Sequence, residues 1–192
     1  MSSGSVSRRR ADARRNHEAI LVAAAASLTR TGELSFNAIA KQAGVGVGTV
    51  YRHFPTPASL ILAVYEREVD QIVDAVPGLL AEQPPDAAFR AWIMDHVAHY
   101  MMTKRGLAEA LQRVSATSEE SDALPAGAFD RIRCALADLL RANVEAGNVR
   151  EDAEVDTVIR CLFGLFHLDP ASDWQAEVAK VTDVVWRGIR AD

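Results

Sequence analysis

Asp95, His96 and His99 are the side chains best spaced to move a proton or hold a metal, because residues three and four apart share one face of a helix. The set stops short of a site. No third ligand stands at workable spacing, no nucleophile sits beside a base, and no glycine-rich phosphate loop occurs. No catalytic residue, metal or cofactor is therefore expected. Cys134 and Cys161 each fall inside an apolar helical pattern and read as buried, reduced thiols. A second group has different chemistry. Ser35, Thr49, Tyr51, Arg52 and His53, with Arg14 and Arg15 ahead of them, offer hydroxyls, ring N–H groups and guanidinium ions, which suit phosphate oxygens and base edges rather than bond breaking.

The segment that must position this second group is SFNAIAKQAGVGVGTVYRHF, Ser35 to Phe54. It reads as two helices of about two turns joined by a short turn at Gly44, whose missing Cβ permits a left-handed backbone and a steep angle between the helices. Phe36, Ile39, Val50 and Phe54 face inward, and the small Ala40 lets the helices approach. Gly48, Thr49 and Arg52 then point away from the core, with Tyr51 at the flank. A helix presented in this way fits the major groove, its N-terminal residues nearest the bases.

The rest of the chain repeats helical spacing from end to end, with no alternation long enough for strands, so the fold is expected to be all-α with about nine helices. Residues 1–10 carry Arg8, Arg9 and Arg10 and little apolar content, and read as a flexible basic arm. Helix one spans about 12–31 and stops at Gly32; Ser35 caps the second helix; Thr56 and Pro57 open a long helix expected to end near Val76, before Pro77 and Gly78. Helices over about 86–102 and 104–116 follow, then a polar loop, SATSEESDA, and a helix over 125–146 stopped by Gly147. The last two cover about 153–168 and 172–189, the final one capped by Ser172 with Gln175.

Charge is unevenly shared along the chain. Residues 1–54 hold eight Lys or Arg against three Asp or Glu, whereas residues 55–192 hold 13 against 23. A basic head on an acidic body fits one end that meets a polyanion. The run from Ala19 to Leu28 behind Arg14 and Arg15 is too alanine-rich for a secretory leader, and no stretch reaches the roughly 18 apolar residues of a membrane span, so no membrane partner and a cytoplasmic location are expected.

In Ile39, Ala40, Ala43, Gly44, Val45, Gly48, Thr49, Tyr51, His53 and Phe54 the head resembles the tetracycline-repressor (TetR) family, over about residues 14–65. The resemblance implies a homodimeric transcriptional repressor: a head over residues 11–54 that binds a double-stranded, palindromic operator, and a body over 55–192 that binds a small-molecule effector and dimerises. It places Thr49, Tyr51 and His53 on phosphates or groove edges and Ser35 near the DNA backbone. Departures are Gly46 where the family usually has serine, Val47 where a polar residue is frequent, and Pro57 where a phosphate-binding lysine is common. Val47 either packs inward, the favoured alternative, or meets a thymine methyl. Arg14 and Arg15, with the arm, could supply the missing charge.

In the body, Trp92, His96, His99, Tyr100, Met101, Phe129, Phe163 and His167 are the candidate ligand-binding residues, a mixture of aromatic, sulfur and polar groups suited to a small-molecule cavity. The last two helices are apolar on more than one side and need a second cover. Leu162, Phe163, Phe166, Val178, Val181 and Val185 are expected at or directly behind a two-fold dimer surface, and the resemblance pairs these helices with their mates in a four-helix bundle. Two alternatives remain open: control by a protein partner, or a helical enzyme using Asp95, His96 and His99.

Overall fold

A computed structural model describes residues 3–117 and 127–191. Among these residues the chain forms nine helices: α1 Ser3–Thr31, α2 Phe36–Ala43, α3 Val47–His53, α4 Pro57–Glu82, α5, α6 Arg105–Thr117, α7 Ala128–Glu145, α8 Val155–Leu162 and α9 Trp174–Ile189. Helix α5 is built of three consecutive pieces, Pro85–Ala91, a π-helical Trp92–Ala98 and His99–Thr103, and α8 continues as a 3₁₀ turn, Phe163–His167. The all-α expectation is borne out. Most of the polar loop SATSEESDA, and Pro125 and Ala126 of the helix expected from 125, lie outside the described residues.

The first compact unit holds the chain as far as Arg67, together with α6. Its core is the apolar face of α1 (Ile20, Leu21, Ala24, Ala25 and Leu28), with Phe36, Ile39, Ala40, Val50, Phe54, Leu60, Ile61 and Val64. Gly32, with φ +67°, ends α1 in the left-handed region that glycine adopts without strain. Thr56 and Ser59 cap the start of α4 reciprocally, each backbone N–H donating to the other's hydroxyl at 3.2 and 3.1 Å. Helix α6 buries Leu107, Ala110 and Leu111 and crosses α1 at Gly106, whose Cα lies so near Leu28 and Gly32 that no side chain fits between. Arg113 donates to the Gly32 carbonyl at 2.7 Å. Helix α1 starts at Ser3, so from that residue the expected flexible arm is helical. Its arginines are good helix formers, and no proline stands among residues 3–11.

The second unit runs from Glu68 through α5 and resumes at α7. Phe89, Trp92, Ile93, Leu136, Leu139, Leu165 and Val178 form its fully buried centre. The buried Asn143 donates to the carbonyls of Pro85 at 2.8 Å and Leu139 at 2.9 Å and accepts from Asn148 at 3.2 Å, so its amide is satisfied in the core.

Three further boundaries differ from expectation. Helix α4 passes through Pro77 to Glu82, because Leu79 and Leu80 beyond it pack on the core and offset the lost hydrogen bond. The final helix is capped by Asp173, which accepts from the Ala176 N–H at 3.4 Å; the Ser172 hydroxyl is already donated to the Asp169 carbonyl at 2.7 Å. The expected 153–168 helix tightens into the 3₁₀ turn after Leu162.

Candidate nucleic-acid interface

Ser35 accepts a hydrogen bond from the Ala38 N–H at 3.4 Å and so starts α2, and Gly44, at φ +68°, ends it. Its amide and that of Val45 close on carbonyls of α2, and the chain turns directly into α3. Gly46 caps α3 without a side-chain bond, the local consequence of lacking serine there. The cost is small, since glycine is only a few tenths of a kcal/mol poorer than serine as a cap.

Inward packing fixes which side of α3 is left outside. Val50 and Phe54 are buried, and Tyr51, Arg52, Gly48 and Val47 are exposed. Val47 is 39% exposed, so it does not pack inward; the inner side of α3 is filled by Val50 one turn on. Tyr51 is 54% exposed, with its ring tilted against Phe36 at 4.8 Å, which orients the phenol without covering it. Arg52 lies back along its own helix, donating through Nε to the Gly48 carbonyl and through its terminal nitrogen to Thr49 Oγ1, both at 3.1 Å. Thr49 is half-buried beneath it.

His53 is half-buried, its ring 5.6 Å from that of His17, which itself rests on Phe54. Burial, then the neighbouring His17 and Arg52, hold His53 below its ordinary value of 6.5. In the free protein His53 is therefore neutral at neutral pH. The unfolded chain takes up this proton near pH 6.5, whereas the folded head takes it up only at lower pH, so acidification favours unfolding. The thermal midpoint is expected to fall as pH drops from 7 to 5.5, and to fall less in His53→Asn; equal slopes in calorimetry would rule out this origin.

Arg14 and Arg15 are exposed on α1, Arg15 paired with Asp12. The side chains of Arg8 and Arg9 lie outside the described residues. Helix formation thus brings Ser35, Val47, Thr49, Tyr51, Arg52 and His53 into one short motif. Gly48, expected to point away from the core, is exposed beside them. A Cβ there would meet nothing within 4 Å and its φ is not positive, so the chain's own packing does not require glycine.

The body candidates are more dispersed. Trp92 is 1% exposed and donates through Nε1 to the Ile72 carbonyl at 2.8 Å, which makes it a satisfied core residue rather than a ligand contact. His96, Tyr100 and Met101 are half-buried, and His99 and His167 are exposed. Phe129, Phe163 and Phe166 form an exposed aromatic row, Phe163 stacked between the other two at 6.2 and 5.9 Å. Cys134 and Cys161 are exposed rather than buried, since the inward sides of α7 and α8 are taken by Ala135, Leu136, Val158 and Leu162.

Between α8 and α9 runs an open groove of about 630 Å³ whose lining includes Thr157, Cys161, Val181, Val184 and Gly188. Of the expected interface residues, Leu162, Val178 and Val185 are buried in the protomer, Val181 is half-buried, and Phe163 and Phe166 are exposed. Val184, beside the stripe of Val178, Val181 and Val185 and not among the expected interface residues, is 71% exposed. Its position three residues after Val181 and four before Gly188 marks a second, outward stripe on α9.

Residues 20–64 match the model of the tetR family of bacterial regulatory proteins, and residues 84–191 that of the C-terminal domain of SbtR-like transcriptional regulators. A TetR transcriptional regulator from Streptomyces coelicolor is 37% identical, with 91% of this chain and 98% of that one covered and a TM-score of 0.76. A TetR regulatory protein from Mycobacterium vanbaalenii is 34% identical over 95% of this chain and 99% of its own, with a TM-score of 0.74. An HTH-type transcriptional regulator of Staphylococcus aureus (strain MRSA252) is 37% identical over 78 residues, which span 39% of this chain and 41% of that protein.

Proposed function

Because the chain belongs to the TetR family of helix-turn-helix transcriptional regulators, we propose that it is a repressor whose α3 enters the major groove of a palindromic operator and which a small molecule releases. The observation that carries this reading is the division of α3: Val50 and Phe54 are locked inward, and Val47, Gly48, Tyr51 and Arg52 are turned out together. Residues 11–54 serve as the DNA-binding head and residues 55–192 as the effector-binding and dimerising body. Ser35, Thr49 and His53 hold phosphates, Tyr51 and Arg52 reach the groove, and Arg14 and Arg15 follow the backbone. Arg52 must leave Gly48 and Thr49 to do so, which costs little for an exposed pair of hydrogen bonds.

In the body, His96, Tyr100 and Met101 are the candidates best suited to an effector, since they are half-buried on α5 beside and within its π-helical piece; such irregular turns often mark functional positions. No helix among the described residues is long and apolar enough to cross a membrane, in keeping with action on cytoplasmic DNA.

Selecting genomic fragments with the purified full-length protein, followed by footprinting, tests the DNA reading. Tyr51→Ala should weaken binding to the selected sequence by about tenfold or more, on the order of 1 to 3 kcal/mol for a lost base contact, without a change in the helical circular dichroism signal. Gly48→Ala should fold at least as well as the wild type, because alanine favours helix and meets no neighbour, yet bind operator less well because its methyl faces the DNA. Wild-type footprints from both variants would defeat the assignment of α3.

A further inference from the structure

The outward end of α3 carries one side chain between two glycines: Gly46, Val47, Gly48. Neither flanking glycine is needed by the fold. A Cβ at Gly46 would meet only Thr49 Oγ1, at 4.0 Å, one at Gly48 nothing within 4 Å, and neither residue has a positive φ. The isopropyl group of Val47 therefore stands alone at the first position of α3, 39% exposed, with backbone bared on both sides. One turn on, Arg52 lies back along the helix, bonded to Thr49 Oγ1 and to the Gly48 carbonyl. At Val47 itself the side chain offers a partner methyl groups and no hydrogen-bond donor.

We propose that Val47 reads a thymine methyl in each operator half-site. The inference rests on the placement of α3 in the major groove, where the residues at the helix N-terminus come nearest the base edges. Of the groups displayed there, the C5 methyl of thymine is the apolar one; the edges of guanine, adenine and cytosine present donors and acceptors that would lose water against valine and gain no partner. A valine side chain is short and can touch the groove floor only if the helix backbone comes close. Glycine at 46 and 48 permits that approach. An exposed valine is unremarkable by itself on a protein surface. Its isolation between two glycines that the fold does not require, at the base-facing end of α3, sets this one apart.

The test is a deoxyuridine scan of the selected operator, since replacing thymine by uracil removes the C5 methyl alone. Full-length wild type, Val47→Ala and Tyr51→Ala are titrated by fluorescence anisotropy against duplexes carrying one symmetric pair of substitutions at a time. At one thymine per half-site the wild type should lose about fourfold in affinity for each methyl removed, the loss expected for one buried apolar carbon. Val47→Ala should bind the unmodified operator more weakly and be insensitive to uracil at that same thymine, and 5-methylcytosine placed there should bind better than cytosine. A flat wild-type scan, or a sensitive thymine that stays equally sensitive in Val47→Ala, overturns the proposal. If Tyr51→Ala is weakened while the scan is flat, only Val47 loses its role; if Tyr51→Ala binds normally, or the wild type selects no sequence, the placement of α3 falls and the Val47 contact with it.

Discussion

Gly106→Ala is expected to destabilise the first unit by about 3 kcal/mol or more, the upper end of what overpacking costs. The Cβ it adds would fall far inside the van der Waals contact distance of the Leu28 carbonyl oxygen and 3.1 Å from Gly32 Cα. Both obstacles are backbone. A side chain in the way could rotate aside, but here either α1 or α6 must move as a body, and α6 is held by its buried Leu107, Ala110 and Leu111. Movement of α6 would also strain the hydrogen bond from Arg113 to the Gly32 carbonyl, which satisfies a group at the end of α1. Gly48→Ala is the internal control, since its new methyl meets nothing in the protein. Chemical denaturation of the two variants beside the wild type should give a lowered midpoint for Gly106→Ala and an unchanged or raised one for Gly48→Ala. Equal midpoints for Gly106→Ala and the wild type would mean that the two helices do not cross this closely.

What the sequence revealed, and what it hid, divides by the range of the interactions involved. Ser35, Gly44, Gly32 and the Thr56 cap act within four residues of themselves, so their roles follow from residue type and spacing, and the structure places all four as expected. Long-range packing decides most of the rest. Pro77 reads locally as a stop, but Leu79 and Leu80 gain a core beyond it, and the helix continues. Trp92 reads as a ligand aromatic among histidines and methionines; only the fold brings the Ile72 carbonyl to its indole N–H. The close crossing at Gly106 was equally hidden, because a glycine two residues into a helix looks the same in sequence whether it faces solvent or another backbone. Helix α9 carries valines on two sides, and residue spacing puts the stripe Val178, Val181 and Val185 at or directly behind the interface without telling which of them is outermost. Val178 and Val185 are buried within the protomer, and Val184 stands outside with Val181 beside it.

That second stripe gives the prediction with the largest effect on DNA binding. A protein that reads two half-sites on one face of a duplex needs two heads about 34 to 36 Å apart, or a multiple of that spacing. We propose that two copies meet across α8 and α9, Val181, Val184 and Gly188 of one protomer packing on the same surface of the other around a two-fold axis, with Phe163 and Phe166 toward the edge. Small residues along Thr157, Cys161 and Gly188 let helices approach closely, and the groove they line leaves the methyls of Val181 and Val184 for a partner. Val184→Asp separates assembly from folding. In an isolated protomer that side chain is 71% exposed, so aspartate there costs the monomer little. Across a symmetric interface the substitution would bury two like charges close together, at several kcal/mol unless they take up protons or the interface opens. The expected result is a folded monomer whose specific operator affinity is lower by about 10²- to 10⁴-fold, the size of the advantage that linking two binding heads confers. Val178→Asp provides the contrast: its position is fully buried within the protomer, so the chain should fail to fold rather than merely separate. Sedimentation at micromolar concentration, with circular dichroism and operator titration of the same samples, decides between these outcomes. A wild type that sediments as a monomer, or a Val184→Asp variant that remains a dimer and binds its operator normally, would move the contact between copies away from α8 and α9.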